Sequence, residues 1–254
     1  MIPLGDDTYG PITPRSLKDE FIERFEALIL SGKFSPGDRV PSERDLGALF
    51  GISRPVVHEG LRTLESRGLV TIESRKGVRV NDYRREGSIE MLLSILNYTG
   101  GRLSPTLLDG ILEMRLLFEV ETARLAASRR SEAGLSELRR TLERERAFRE
   151  APTPGGAVRE SAARDLADID FEFHVSVAIA SGNEIYPLLM NSFRRIYRDI
   201  LEEFYADRTV VEPIFAAHSR IVDAIEERDE AGARDAMREL LSFSEANLRR
   251  ILFG

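Results

Sequence analysis

The chain changes its periodicity near residue 83, and that change limits its fold more than any other feature. Before it, three short helical runs are punctuated by serine, glycine and proline, and two short strand-like runs follow. After it, apolar residues recur only at helical spacing. In the first part, Leu17, Phe21, Phe25, Leu28 and Ile29 make one apolar helical face, which stops at Ser31-Gly32. Ser35-Pro36-Gly37-Asp38 is a turn. Ser42, with Asp45 three residues on, opens a second helix that ends at Phe50-Gly51. Ser53 is placed to cap a third from Arg54 to Arg67, with Pro55 in the tolerant first turn and Gly68 after the end. Leu69–Ile72 and Val78–Val80 then read as strands around Ser74-Arg75-Lys76-Gly77. Three helices and a two-stranded ribbon make a winged helix-turn-helix.

Helices are expected next at 87–99, 105–129, 132–149, 160–181, 184–206, 211–228 and 230–252, with a break over 151–156. Such helices bury their stripes against one another as a bundle. The expected fold is therefore mainly α: a disordered lead-in at 1–10, a winged helix-turn-helix at 11–83 and an all-helical unit at 84–254. A length of 254 residues is comfortable for two domains.

The absence of cysteine excludes disulfide scaffolds, zinc ribbons, iron–sulfur clusters and thiol nucleophiles. Three histidines, His58, His174 and His218, leave few ways to build a metal or acid–base centre. No apolar run reaches the ~20 residues of a membrane helix. The first residues lack a basic-then-apolar signal pattern, so a cytoplasmic protein without a membrane partner is expected.

Net charge is −7, which argues against indiscriminate nucleic-acid binding. Residues 39–79 nevertheless hold eight basic side chains against five acidic ones. A helix entering the major groove reads base edges with its N-terminal side chains, and arginine is the best partner for guanine. Ser53 and Arg54 start the third helix, while Arg75 and Lys76 occupy a wing tip that can reach phosphate or the minor groove. Taken singly, each arginine reads as well as a surface ion pair. At winged-helix spacing, the group reads as a contact surface for double-stranded DNA.

Residues 32–46, GKFSPGDRVPSERDL, and 50–61, FGISRPVVHEGL, resemble the signature of GntR-type bacterial transcription regulators. The helical part resembles the ligand-sensing FCD domain of the FadR subfamily, through Glu113-Met114-Arg115…Glu119, Asp170-Phe171-Glu172-Phe173-His174 and Ala180-Ser181-Gly182-Asn183. The resemblance implies a regulator without enzymatic activity. It would be a homodimer binding an inverted repeat, most often as a repressor released by its ligand. It adds Arg44 to the DNA-contacting residues. It also exposes a departure: the family usually has arginine where this chain has His58, and an alanine-like residue where it has Gly60. His58 could still donate to phosphate or base, although an unperturbed imidazole is mostly neutral at pH 7.

Asp170 and His174 are four residues apart, so both lie on one helical face and could hold one ion, with His218 on a later helix. The resemblance implies a fourth ligand, a histidine, where this chain has Leu240. Two nitrogens and a carboxylate can still hold Zn²⁺, Ni²⁺ or Mn²⁺ with positions left open. The competing account is a vestigial pocket whose histidines bond to neighbours. Arg115 sits mid-helix among Leu112, Leu116, Leu117 and Val120 and needs an anion if buried. Glu119 is the internal partner, and an effector carboxylate is the functional one, which the resemblance favours. A small carboxylate effector is preferred to long-chain acyl-CoA, which the stretch from Ala180 to Tyr197 keeps open. A distant alternative is a metal-dependent enzyme using Asp170, His174 and His218.

Overall fold

The computed structural model describes residues 16–88, 91, 94, 95, 104–150 and 160–254. The lead-in at 1–10, most of the helix expected at 87–99 and the break at 151–156 lie outside the described residues. The chain divides into two compact units, Met1–Arg102 and Leu103–Gly254.

In the first unit, α1 (Leu17–Leu30), α2 (Glu43–Phe50) and α3 (Arg54–Ser66) follow the punctuation of the sequence. The Ser42 hydroxyl accepts from the Asp45 backbone N–H and donates to Asp45 Oδ2 at 2.6 Å, which fixes the start of α2. Gly51 ends that helix at φ 68°, a left-handed conformation that favours glycine. Ser53 holds the N-cap position of α3, but its side chain makes no capping bond, contrary to the expected cap. Pro55 in the first turn presets the helical φ there instead.

Strands β1 (Arg39–Val40), β2 (Val70–Glu73) and β3 (Gly77–Val80) form an antiparallel sheet in the order β1-β3-β2. Val70 pairs with Val80, Ile72 with Val78, and Val40 with Val78. The sequence suggested only two strands, because a two-residue strand is too short to show alternation. The wing tip turns through Arg75 at φ 65° and Gly77 at φ 96°. A short helix, α4 (Tyr83–Glu86), follows.

The core of this unit gathers Phe21, Phe25 and Ile29 of α1, Leu46 of α2, Val57, Leu61 and Leu64 of α3, and Val70 and Val80 of the wing. Met91 joins it. Phe21 packs edge-on against Phe50 at 5.1 Å and lies 5.7 Å from Phe25. Gly60 of α3 is what admits that ring, since a Cβ there would stand 2.4 Å from Phe21 Cδ1.

The second unit is helical throughout its described residues: α5 (Pro105–Arg129), α6 (Glu132–Glu150), α7 (Glu160–Ala180), α8 (Ile185–Ser192), α9 (Arg194–Ala206), α10 (Val211–Glu226) and α11 (Glu230–Phe253), with a 3₁₀ turn at Arg208–Val210. α5 packs most extensively on α11, and α7 packs on α9, α5 and α6. The single helix expected at 184–206 is instead two, broken at Phe193. Asn191 Nδ2 donates to Pro187 O and the Ser192 hydroxyl to Leu188 O, both at 2.9 Å. Such back-bonding competes with the helical ladder and bends it.

Gly60→Ala should force the added methyl into the buried Phe21 ring and cost about 1–3 kcal/mol, as overpacking does. Chemical denaturation of the full chain would read this as a lowered midpoint in the winged unit.

Candidate functional site

On the winged unit, Arg44, Ser53, Arg54, His58, Arg75 and Lys76 are all exposed. α3 carries Arg54 and His58 one turn apart. Both reach back to Glu43, the first residue of α2. Arg54 Nε donates to Glu43 Oε2 at 2.9 Å, and His58 Nδ1 lies 2.7 Å from Glu43 Oε1. The hydrogen bonds from Arg54 first, and from His58 second, hold the Glu43 carboxyl below its ordinary range. Arg44 lies 3.6 Å from Asp45, and Lys76 Nζ is 4.0 Å from Glu73. Such exposed pairs contribute little to stability, so these cations can turn to phosphate at small cost.

In the helical unit, Asp170 and His174 on α7 meet His218 on α10, and all three are buried. His174 Nε2 and His218 Nε2 each stand 3.7 Å from an oxygen of Asp170. One ligand atom from each residue lies within 4.8 Å of the others. The two 3.7 Å separations are to different oxygens, His174 to Oδ2 and His218 to Oδ1, so it is the grouping within 4.8 Å that marks the three as a candidate metal site. Asp170 Oδ2 and His218 Nε2 are buried without hydrogen-bond partners. Unpaired buried polar atoms are rare, and here they belong to residues that share one cluster.

The outer atoms of the same residues are held. His218 Nδ1 lies 2.6 Å from Glu145 Oε1 of α6. The Tyr205 hydroxyl of α9 donates to Asp170 Oδ1 at 2.5 Å. His174 Nδ1 lies 2.7 Å from Glu119 Oε2 of α5, outside the angle for a hydrogen bond. Phe173 stacks on the His218 ring at 3.7 Å between centroids. The Glu145 partner on the outer nitrogen of His218 fixes that ring's orientation and tautomer, as such partners do around bound metals.

Arg115 is buried beside this cluster. Its Nε donates to Glu119 Oε1 at 2.7 Å, and its guanidinium lies 4.6 Å from the centre of the Tyr197 ring. The Tyr197 hydroxyl also donates to Glu119. Burial pushes the Glu119 carboxyl up, but Arg115 and then His174 outweigh this and hold it well below the ordinary carboxylate range. The same carboxylate, with Tyr197, raises the pKa of Arg115 against the effect of its burial. The internal partner foreseen for Arg115 is thus in place. Arg115 also borders a narrow apolar slot lined by Leu108, Ile111, Leu112, Ile200 and Leu248, with room for about one water. Leu240 is buried in α11.

Glu145 and Tyr205 escaped the sequence reading. Glu145 falls on the stripe Leu135, Leu138, Leu142, Glu145 of a helix otherwise crowded with arginine and glutamate. A carboxylate on an apolar stripe was the available signal.

The FCD domain pattern matches residues 110–243, and the pattern for bacterial regulatory proteins of the gntR family matches residues 17–80. The HTH-type transcriptional regulator Mce2R of Mycobacterium tuberculosis is 31% identical over 242 residues, covering 95% of each chain. The chain belongs to the GntR family of bacterial transcription regulators with an FCD domain. A fatty acid metabolism regulator protein of Proteus mirabilis is 24% identical, covering 89% of this chain and 87% of that one. The solved structure of Lar, which controls expression of the Listeria monocytogenes agr system, shares the fold with a TM-score of 0.60 at 16% identity. It covers 94% of this chain and 99% of that one. As a GntR regulator, the protein joins a winged DNA-binding unit to a ligand-sensing FCD unit. No helix among its described residues is long and apolar enough to cross a membrane.

Glu119→Ala should strip Arg115 of its anion and cost about 3–5 kcal/mol, as breaking a buried pair does. Replacing both together, Arg115→Met with Glu119→Leu, should recover much of that loss. Urea unfolding followed by circular dichroism would compare the variants.

Proposed function

We propose that this regulator belongs to the FadR subfamily and acts as a cytoplasmic homodimeric repressor released by a small carboxylate metabolite. Residues 11–83 would bind an inverted-repeat operator in double-stranded DNA. Residues 84–254 would sense the effector and dimerise. The observation that carries the effector reading is the convergence of Asp170, His174 and His218. Three of their buried atoms, Asp170 Oδ2, His174 Nδ1 and His218 Nε2, lack hydrogen-bond partners, and two others, Asp170 Oδ1 and His218 Nδ1, have one. Zn²⁺, Ni²⁺ or Mn²⁺ suits that donor set. When bound, such an ion supplies open positions for a ligand carboxylate. Arg115 enters as the guanidinium that could exchange Glu119 for an effector anion.

Support for a dimer comes from an apolar face at α5 and α8. Leu117, Ile185 and Leu188 are each more than half exposed there, and Phe118 packs on Tyr186 to join the two helices. A patch of this kind marks an interaction surface. On the DNA unit, α3 presents Arg54 and His58 as base readers, with Ser53 at its start, Arg44 on α2, and Arg75 and Lys76 on the wing.

The second reading, an acyl-CoA-responsive regulator, is favoured by the apolar slot ending at Arg115 and by the name of the Proteus relative. The slot would have to open widely to admit an acyl chain, whereas the polar cluster already suits a small ligand. A metal-dependent enzyme built on the same three residues is the least favoured reading.

Native mass spectrometry of tag-free protein should find a dimer carrying one divalent metal per subunit, and His218→Ala should lose it. A metal-free dimer with a heavy acyl adduct would instead support the acyl-CoA reading. Metal at 100 times its Kd should stabilise the wild type by about 2.7 kcal/mol, and the variant by far less.

The DNA end has its own test. Arg54→Ala should weaken binding to a selected operator by about 1–3 kcal/mol and relax its sequence preference. Replacing Arg75 and Lys76 by alanine should instead lower affinity for all duplexes and flatten the salt dependence. Fluorescence anisotropy over a salt series distinguishes the two effects.

A further inference from the structure

The His58 position is where this chain departs from the arginine usual in its family. An arginine there can only donate. A histidine can donate or accept, according to which ring nitrogen carries the proton. The surroundings of His58 bear directly on that choice.

Glu43 holds His58 Nδ1 with one carboxylate oxygen and Arg54 Nε with the other. Its side chain is three-quarters covered, while those of Arg54 and His58 are 75% and 49% exposed. Glu43 is the first residue of α2, where the helix dipole favours a negative charge. An ionised carboxylate only accepts hydrogen bonds. A neutral imidazole facing it at 2.7 Å must therefore carry its proton on Nδ1. Nε2, across the ring, is then an acceptor.

We propose that Glu43 sets His58 as an acceptor toward the major groove, so that His58 reads an amino group, N4 of cytosine or N6 of adenine, where arginine would read guanine. The pattern of donors and acceptors on base edges makes these the matching partners. Glu43 is a positioning residue in this arrangement, and His58 is the specificity-determining one. The inference rests on α3 being the helix that enters the major groove.

The test is selection from a randomised duplex pool with the full-length wild type, Glu43→Gln and His58→Arg. It is run at pH 8.5, above the ordinary histidine range near ~6.5. His58→Arg should convert one position of each half-site to guanine. On that same strand and position, the wild type should select cytosine or adenine. Competition between the two duplexes should favour the amino-bearing base by about fivefold, the scale of one base-edge hydrogen bond. Glu43→Gln offers the ring a carboxamide that can donate to Nδ1, which frees Nε2 to carry the proton. Its preference should fall to within about twofold or turn to guanine.

An inverted repeat with guanine or no preference at that position for the wild type overturns the proposal and leaves α3 as the reading helix. An unchanged preference in Glu43→Gln overturns it too. A selection in which none of the three proteins enriches any sequence overturns the reading of α3 and the proposal together.

Discussion

Burying an ionised group without a partner costs several kcal/mol, and the FCD unit is organised around that cost. Arg115, Glu119, Glu145 and Asp170 are all buried, in the company of His174 and His218. They come from α5, α6, α7 and α10, and α9 supplies the hydroxyls of Tyr197 and Tyr205. Each helix must therefore hold one rotation about its axis, because turning it away would strand a charge. Leucines elsewhere in the bundle tolerate small slips; this polar knot does not. Three carboxylates, of Glu119, Glu145 and Asp170, are buried in the same unit as one guanidinium, that of Arg115. A divalent cation held by Asp170, His174 and His218 would place positive charge among these carboxylates, beside buried atoms that lack partners.

The winged unit is built on a different constraint, close packing around Phe21. Its ring fills the space left by Gly60 and meets Phe50 and Phe25. That contact sets how near α3 approaches α1. With α3 fixed, its outer face presents Arg54 and His58, and α2 enters at the angle that puts Glu43 between them. A ring and a glycine in the core thus place the side chains on the surface.

Much of this was legible because local chemistry and global packing agree. Ser42, Asp45, Gly51, Pro55 and Gly68 mark the ends of α2 and α3, and the structure sets those ends within two residues of the marks. The pair Arg115 and Glu119 was visible as an i, i+4 spacing, and Asp170 and His174 likewise. Long-range partners were not. Glu145 is 73 residues from His218, and Tyr205 is 35 from Asp170. No helical periodicity links such positions. The break at Phe193 was hidden for another reason: Asn191 and Ser192 read as ordinary helix surface until their side chains are seen bonded to backbone carbonyls.

The state of Arg115 bears on how an effector carboxylate would enter. Glu119 already gives that guanidinium an anion, and Tyr197 adds a hydrogen bond to Glu119 and a ring face to Arg115. A ligand taking Arg115 must displace one carboxylate with another, so the gain in charge pairing nearly cancels. The displaced Glu119 would also lose its place beside His174. An ion held by Asp170, His174 and His218 would offer a different entry, a cation that could bind a carboxylate without breaking these contacts. The family resemblance implies a fourth ligand where this chain has the buried Leu240, so such an ion would be held by one side chain fewer. That departure would weaken the hold on a metal while leaving room beside it for a small carboxylate.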